Sequence, residues 1–168
     1  MIENLKMSKS QIFSFGIPAV GAGYMYLLLS LYVMKFSTDV LLIAPAMMGL
    51  IFSISRIWDA ISDPLVGYLS DRTTNKLGRR RSWILASFIP ISLGFYAVFS
   101  PPESFQGGYL VWWMALSILV FYSAMTLFFV PHMALGAELS NDYHERSKLF
   151  GIRHIFYTIG PIFQFFSG

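Results

Sequence analysis

Arg56–Arg81 reads RIWDAISDPLVGYLSDRTTNKLGRRR. It opens inside an apolar segment and closes in a basic loop. Arg56, Asp59 and Asp63 stand at i, i+3 and i+7, which places all three on one helical face. Pro64 follows directly. Charge is costly inside a bilayer, so ionisable residues within an apolar span point to function.

The surrounding composition makes such a span expected. The 168 residues are 55% hydrophobic, 17% aromatic and 12% charged, against roughly 25% charged in soluble domains. Mean hydropathy is +0.58. This is the composition of an all-α integral membrane protein. The net charge of +3 is small, and no basic patch is interleaved with aromatics as nucleic-acid binding requires. Cysteine is absent, which excludes disulfides, thiolate metal sites and cysteine nucleophiles. The apolar run after the short, mixed-charge start is too long for a signal-peptide core.

Five apolar segments are expected to form membrane helices, near 11–33, 44–70, 83–99, 109–137 and 150–168; a span needs about 20 residues. The fifth is still apolar at Gly168, so residues 1–168 are expected to be an incomplete N-terminal half. Lys6 and Lys9 precede the first segment, and Arg72, Lys76, Arg79, Arg80 and Arg81 fill the second loop. Arg146 and Lys148 follow the fourth segment, whereas loop three carries only Glu103. By the excess of Lys and Arg on the inner side, the N-terminus and even-numbered loops are expected to be cytoplasmic, in a multi-pass protein of the cell membrane.

Asp63 lies 8 residues and Asp59 12 residues before Asp71. At ~1.5 Å per residue this is roughly 12–18 Å of depth, close to the middle of a ~30 Å core. Two carboxylates one turn apart repel strongly in a low dielectric. They can share a proton, pair with Arg56, or clamp a cation such as Na⁺. Pro64 lacks an N–H, which frees the carbonyl of Ala60, and Ser62 adds a hydroxyl on an adjacent face. Oxygen donors of this kind suit a hard cation or a proton. An Arg56–Asp59 pair that merely pins helices is the simpler account, but it leaves Asp63 over.

The tail of the stretch, G-Y-L-S-D-R then G-R-R-R, resembles the signature loop of the major facilitator superfamily. The longer pattern R-x-W-D-A-x-x-D-P-x-x-G…D-R-T…G-R-R-R-x-W-I-L is similar to the glycoside–pentoside–hexuronide:cation symporters, the melibiose permease group. V-P-H-M-A-L-G-A-E-L (Val130–Leu139), D-Y-H-E-R (Asp142–Arg146) and Arg153 extend the match, and Y-M-Y-L (Tyr24–Leu27) is a weaker part of it. The resemblance implies a twelve-helix bundle of two halves and cation-coupled symport, by alternating access, of a sugar or glycoside-type solute. It implies that Asp59, Asp63, Ser62 and Thr126 bind the coupling cation, Na⁺ or H⁺, with Arg56 as an ion-pair or coupling residue. Arg153, Tyr26 and His132 become candidate substrate contacts. Asp71, Arg79, Arg80, Glu138 and Arg146 become a cytoplasmic gate. No enzymatic activity, catalytic residue, cofactor or further metal is implied. The expected partners are the solute, the cation, the bilayer and the other half of the transporter.

The departures concern the solute. Melibiose-type members carry sugar-binding acids in helices one and four, whereas helix one here offers Ser14, Tyr24, Tyr26 and Ser30, and the helix-four position is Phe129. Met133 replaces a tryptophan. Galactosides are therefore not expected, and the apolar Phe129 and Met133 favour a lysolipid or other amphipathic solute as the alternative. An intramembrane enzyme using the aspartate pair is a remote one, because the Y-D and G-x-G-D protease motifs and the D-x-x-D array of phosphoalcohol transferases are absent.

Overall fold

A computed structural model of the chain describes residues 7–140 and 142–167. The described residues form five α-helices and no strand: α1 Lys9–Lys35, α2 Pro45–Arg72, α3 Arg79–Phe99, α4 Gly108–Glu138 and α5 Tyr143–Ser167. A π-helical turn, Phe36–Val40, continues α1. Lys6 and Gly168, on which the expected orientation and the last span partly rest, lie outside the described residues.

The helix ends follow local chemistry. Before α1, the Gln11 N–H donates to Ser8 Oγ and the Ser8 N–H donates to Gln11 Oε1. This reciprocal capping box starts the helix at Lys9. At its far end the Thr38 hydroxyl donates to the Met34 carbonyl at 3.0 Å, competing with the backbone ladder. The ladder widens there, and the Leu41 N–H reaches the Phe36 carbonyl. Lys35 and Asp39, which fall between the expected segments 11–33 and 44–70, are thereby held in helical turns. Pro45 opens α2 at a position where its missing N–H costs nothing. Gly78, at φ 96°, turns the chain into α3 in a conformation suited to glycine. Asp142 Oδ1 accepts the Glu145 N–H at 2.9 Å, an N-cap that starts α5 at Tyr143, seven residues ahead of the expected Phe150.

Three stretches, Lys9–Val40, Arg79–Phe99 and Gly108–Glu138, are long and apolar enough to cross a membrane. Helices α2 and α5, of 28 and 25 residues, are also long enough, but their charged residues lower their hydropathy.

Two compact units form, one from Leu31–His132 and one from the described parts of Met1–Ser30 and Met133–Gly168. In the first unit, α2 and α4 run parallel, because partner numbers rise together: Arg56 with Tyr122, Trp58 with Ser123, Asp63 with Thr126, Gly67 with Val130. Helices α3 and α4 run antiparallel, because numbers on α3 fall as those on α4 rise. Ala97 meets Trp113, Phe95 meets Phe121, and Phe88 meets Phe128. A side chain at Gly94 would come within 3.0 Å of the Phe121 Cα, so α3 crosses α4 at nearly backbone contact. In the second unit, Ile12, Phe15 and Leu149 form a buried cluster flanked by Met7, Leu139, Phe150 and Ile152. Higher up, a Cβ on Gly23 would land on the Tyr157 carbonyl oxygen, and one on Gly160 on the Val20 carbonyl oxygen. Glycine alone permits α1 and α5 to approach this closely, as small residues commonly do in membrane helices.

Candidate functional site

Helix α2 presents three faces. Met48, Ile51, Ser55, Ser62, Val66 and Ser70 are buried. Met47, Leu50, Ile54, Ile61, Leu65 and Tyr68 form an exposed apolar stripe. The remaining face, Gly49, Ser53, Arg56, Ala60 and Asp63, is polar or small and open. Asp59 sits at the seam between the buried and open faces, with its side chain 19% exposed against 53% for Arg56.

The three charged residues divide into two contacts. Arg56 Nη1 donates to Asp59 Oδ2 at 3.2 Å. Asp63 Oδ1 instead accepts the Thr126 hydroxyl of α4 at 2.9 Å. The second oxygen of Asp59, Oδ1, is buried without a hydrogen-bond partner. It is one of three such atoms among the described residues, with Ser37 Oγ and Glu145 Oε2. A buried carboxylate oxygen with no donor is costly, and a proton or cation would satisfy it. The two carboxylates also interact electrostatically. Ser62 is buried, and its hydroxyl donates to the Asp59 carbonyl at 3.4 Å; the structure does not bring it to either carboxylate. Helix α2 runs through Pro64 without a break.

The basic end of the stretch gathers differently. Arg80 is buried and forms an ion pair with Asp71 across the α2–α3 turn. Thr73 Oγ1 donates to the Leu69 carbonyl and accepts the Trp83 indole N–H, each at 2.8 Å. Arg79 is exposed at the first position of α3. Glu138 ends α4. Arg146 donates from Nε and Nη2 to the Ser140 carbonyl at 3.3 and 3.0 Å.

Of the candidate solute contacts, His132 is 2% exposed and stacks on Phe128 of its own helix at 5.0 Å. In the other unit, Arg153 is buried and Tyr26 half-buried. Tyr157, one turn after Arg153, interacts electrostatically with both. Its ring also stacks on His154.

Three residues of this arrangement carry no evident signal in the sequence. Tyr122 lies under the Arg56 guanidinium, 4.7 Å from Cζ to the ring centroid, and its hydroxyl meets Arg56 Nη2 at 3.4 Å. Ser123 accepts the Trp58 indole N–H at 2.8 Å. Tyr157 lies one turn after Arg153 on α5. The one available sign is spacing: Tyr122 precedes Thr126 by one turn, so both fall on one face of α4.

The groups gathered here are all oxygen: the carboxylates of Asp59 and Asp63 and the Thr126 hydroxyl. Among the described residues there is no group of three His, Cys, Asp or Glu side chains that could hold a metal ion. Such a set fits a proton or a weakly held monovalent cation rather than a tightly bound transition metal.

A model of the family described as MFS/sugar transport protein matches residues 14–166. An inner membrane symporter of Escherichia coli is 32% identical over 134 residues, covering 77% of this chain and 28% of its own length. A sodium-dependent lysophosphatidylcholine symporter of Danio rerio is 32% identical over 135 residues, covering 80% of this chain and 25% of its own length. An isoprimeverose transporter of Lactiplantibacillus pentosus is 29% identical over 170 residues, covering 95% of this chain and 35% of its own length. The chain thus spans about a quarter to a third of the length of the curated relatives it matches.

Proposed function

The chain belongs to the MFS/sugar transport protein family, and from that premise we propose that it supplies the cation-binding part of a secondary active symporter. The family is one of membrane transporters rather than enzymes. The proposed activity is uptake of a small solute coupled to Na⁺ or H⁺, by alternating access, in the cell membrane. The other half of the transporter would supply the opposite wall of the solute pathway, as expected for a chain spanning a minor part of its relatives.

One observation carries this reading: the Thr126 hydroxyl meets Asp63 across α2 and α4, one turn from the buried, unpartnered oxygen of Asp59. A monovalent cation held there offsets one of the two negative charges, relieves their repulsion and ties the two helices together. The proposed site is Asp59, Asp63 and Thr126, with Ser62 supporting the helix turn that carries them. Arg153, Tyr26 and His132 are the proposed solute contacts. Asp71, Arg79, Arg80, Glu138 and Arg146 are proposed for the cytoplasmic gate.

The solute we propose is a sugar or glycoside. A lysolipid or similar amphipath is the second reading, favoured by Phe129 and Met133, which offer apolar contact where sugar acceptors are expected; Met133 is 43% exposed. Both classes occur among the names of similar proteins. The test is uptake of labelled glycosides and lysolipids by the full-length protein in proteoliposomes, with and without a Na⁺ or pH gradient. Uptake unaffected by either gradient would refute cation coupling.

A further inference from the structure

Polar contacts tie α2 to α4 on either side of Asp59. One residue before it, the Trp58 indole N–H donates to Ser123 Oγ at 2.8 Å. Four residues after it, Asp63 Oδ1 accepts the Thr126 hydroxyl at 2.9 Å. Ser123 and Thr126 are one turn apart on α4, so both contacts act on the same short stretch of the two helices.

Ser123 is prepared to receive the indole. Its hydroxyl donates to the Leu119 carbonyl at 2.8 Å, which directs the proton along α4 and leaves a lone pair for Trp58. The same construction recurs at the end of α2, where Thr73 donates to the Leu69 carbonyl and accepts the Trp83 indole N–H. An N–H without an acceptor inside an apolar span is costly, which favours keeping the Trp58–Ser123 bond made.

The two ties respond differently to an ion. Asp63 and Thr126 are both proposed ligands. When Asp63 takes a proton, the bond from Thr126 changes from charge-assisted to neutral, about half as strong. A bound Na⁺ likewise draws on the carboxylate charge. Trp58 and Ser123 are neutral and neither is a proposed ligand, so their bond is unchanged by loading.

We propose that Ser123 is a positioning residue for the cation site: through the Trp58 indole it holds α2 in register with α4, so that Asp59 and Asp63 stay aligned with Thr126 as the ion enters and leaves. This rests on the symporter reading above. Order established before binding raises affinity, so losing the Trp58–Ser123 tie raises the amount of cation required.

The test uses the full-length protein in proteoliposomes, titrating Na⁺ at fixed pH and protons without Na⁺, for wild type, W58F, S123A, S123T and W58F/S123A. W58F and S123A each remove a hydrogen bond between membrane helices, so the half-saturating concentration of the driving ion rises about three- to tenfold. The maximal rate at saturating cation stays near wild type. S123T keeps the hydroxyl and restores the wild-type requirement, and W58F/S123A shifts no further than either single variant. Shifts that add in the double variant would mean that the two side chains act separately through packing, and would overturn the proposal. An S123A protein with an unchanged cation requirement, or with only its maximal rate reduced, would also overturn it. If W58F fails to insert, S123A against S123T decides. Wild-type uptake that ignores both ions would remove the symporter reading and this proposal together, whereas cation-dependent uptake with an unshifted S123A removes only this proposal.

Discussion

Asp63 and Thr126 stand 63 positions apart and meet at 2.9 Å. The contact joins two parallel helices at the depth where the second acid, Asp59, keeps one buried oxygen unpartnered. It turns a pattern on one helix into a contact between two.

The Thr126 hydroxyl is therefore expected to matter for cation affinity. Thr126→Val keeps the side-chain shape and removes the donor. A hydrogen bond to a charged group contributes about 1.5–3 kcal/mol, so the half-saturating cation concentration should rise by about tenfold or more. Thr126→Ser should retain most of the affinity. Cation titration of uptake in proteoliposomes checks this, and equal affinity for Val and wild type would remove Thr126 from the site.

Asp59→Asn and Asp63→Asn should each abolish gradient-driven accumulation while leaving membrane expression near normal. Neither substitution creates a cavity, because Asn is isosteric with Asp. Accumulation ratios of labelled solute, normalised to protein in the membrane, give the result. Uphill uptake at the wild-type level would remove that carboxylate from coupling.

Gly23→Ala should destabilise the protein by about 1–3 kcal/mol, the usual cost of forcing extra atoms into a packed interface. Its Cβ would land on the Tyr157 carbonyl oxygen. Gly21→Ala, two residues away, meets nothing within 4 Å and should be neutral or slightly stabilising, because alanine favours helix over glycine. Thermal unfolding in detergent separates the two, and identical melting behaviour would contradict backbone contact between α1 and α5.

Asp142→Ala removes the N-cap of α5 and should cost about 0.5–2 kcal/mol locally. Amide exchange is the measurement: residues 143–146 should exchange faster, with the middle of α5 unchanged. Unaltered exchange in that turn would show that the cap contributes little.

Much of the candidate site is legible in the amino-acid sequence because charge is so conspicuous in an apolar segment. Arg56, Asp59 and Asp63 mark a candidate site on α2 by their cost alone, and Asp71 through Arg81 mark a helix end and turn. What stays hidden depends on neighbours. Tyr122 is one aromatic among many in α4, and nothing local distinguishes a ring under a guanidinium from one facing lipid. Its contact with Arg56 follows from the parallel register of α2 and α4, which only packing sets. The start of α5 is obscured for a different reason. Tyr143–Lys148 is charged enough to read as loop, although Asp142 three residues before Glu145 is itself a capping sign. The π turn after α1 comes from a threonine hydroxyl competing for carbonyls, which no hydrophobic pattern encodes.

The glycine contacts between α1 and α5 have a mechanical consequence. Where two helices touch through side chains, rotamer changes let them slip past one another. Where a bare Cα lies against a carbonyl oxygen, at Gly23 and again at Gly160, no rotamer can yield. Sliding would require lifting one backbone over the other. Helices α1 and α5 therefore form a strut, stiff along its length, that transmits a push at one end to the other without loss by shear. Spin labels on the two helices should keep a fixed separation in every state the protein visits.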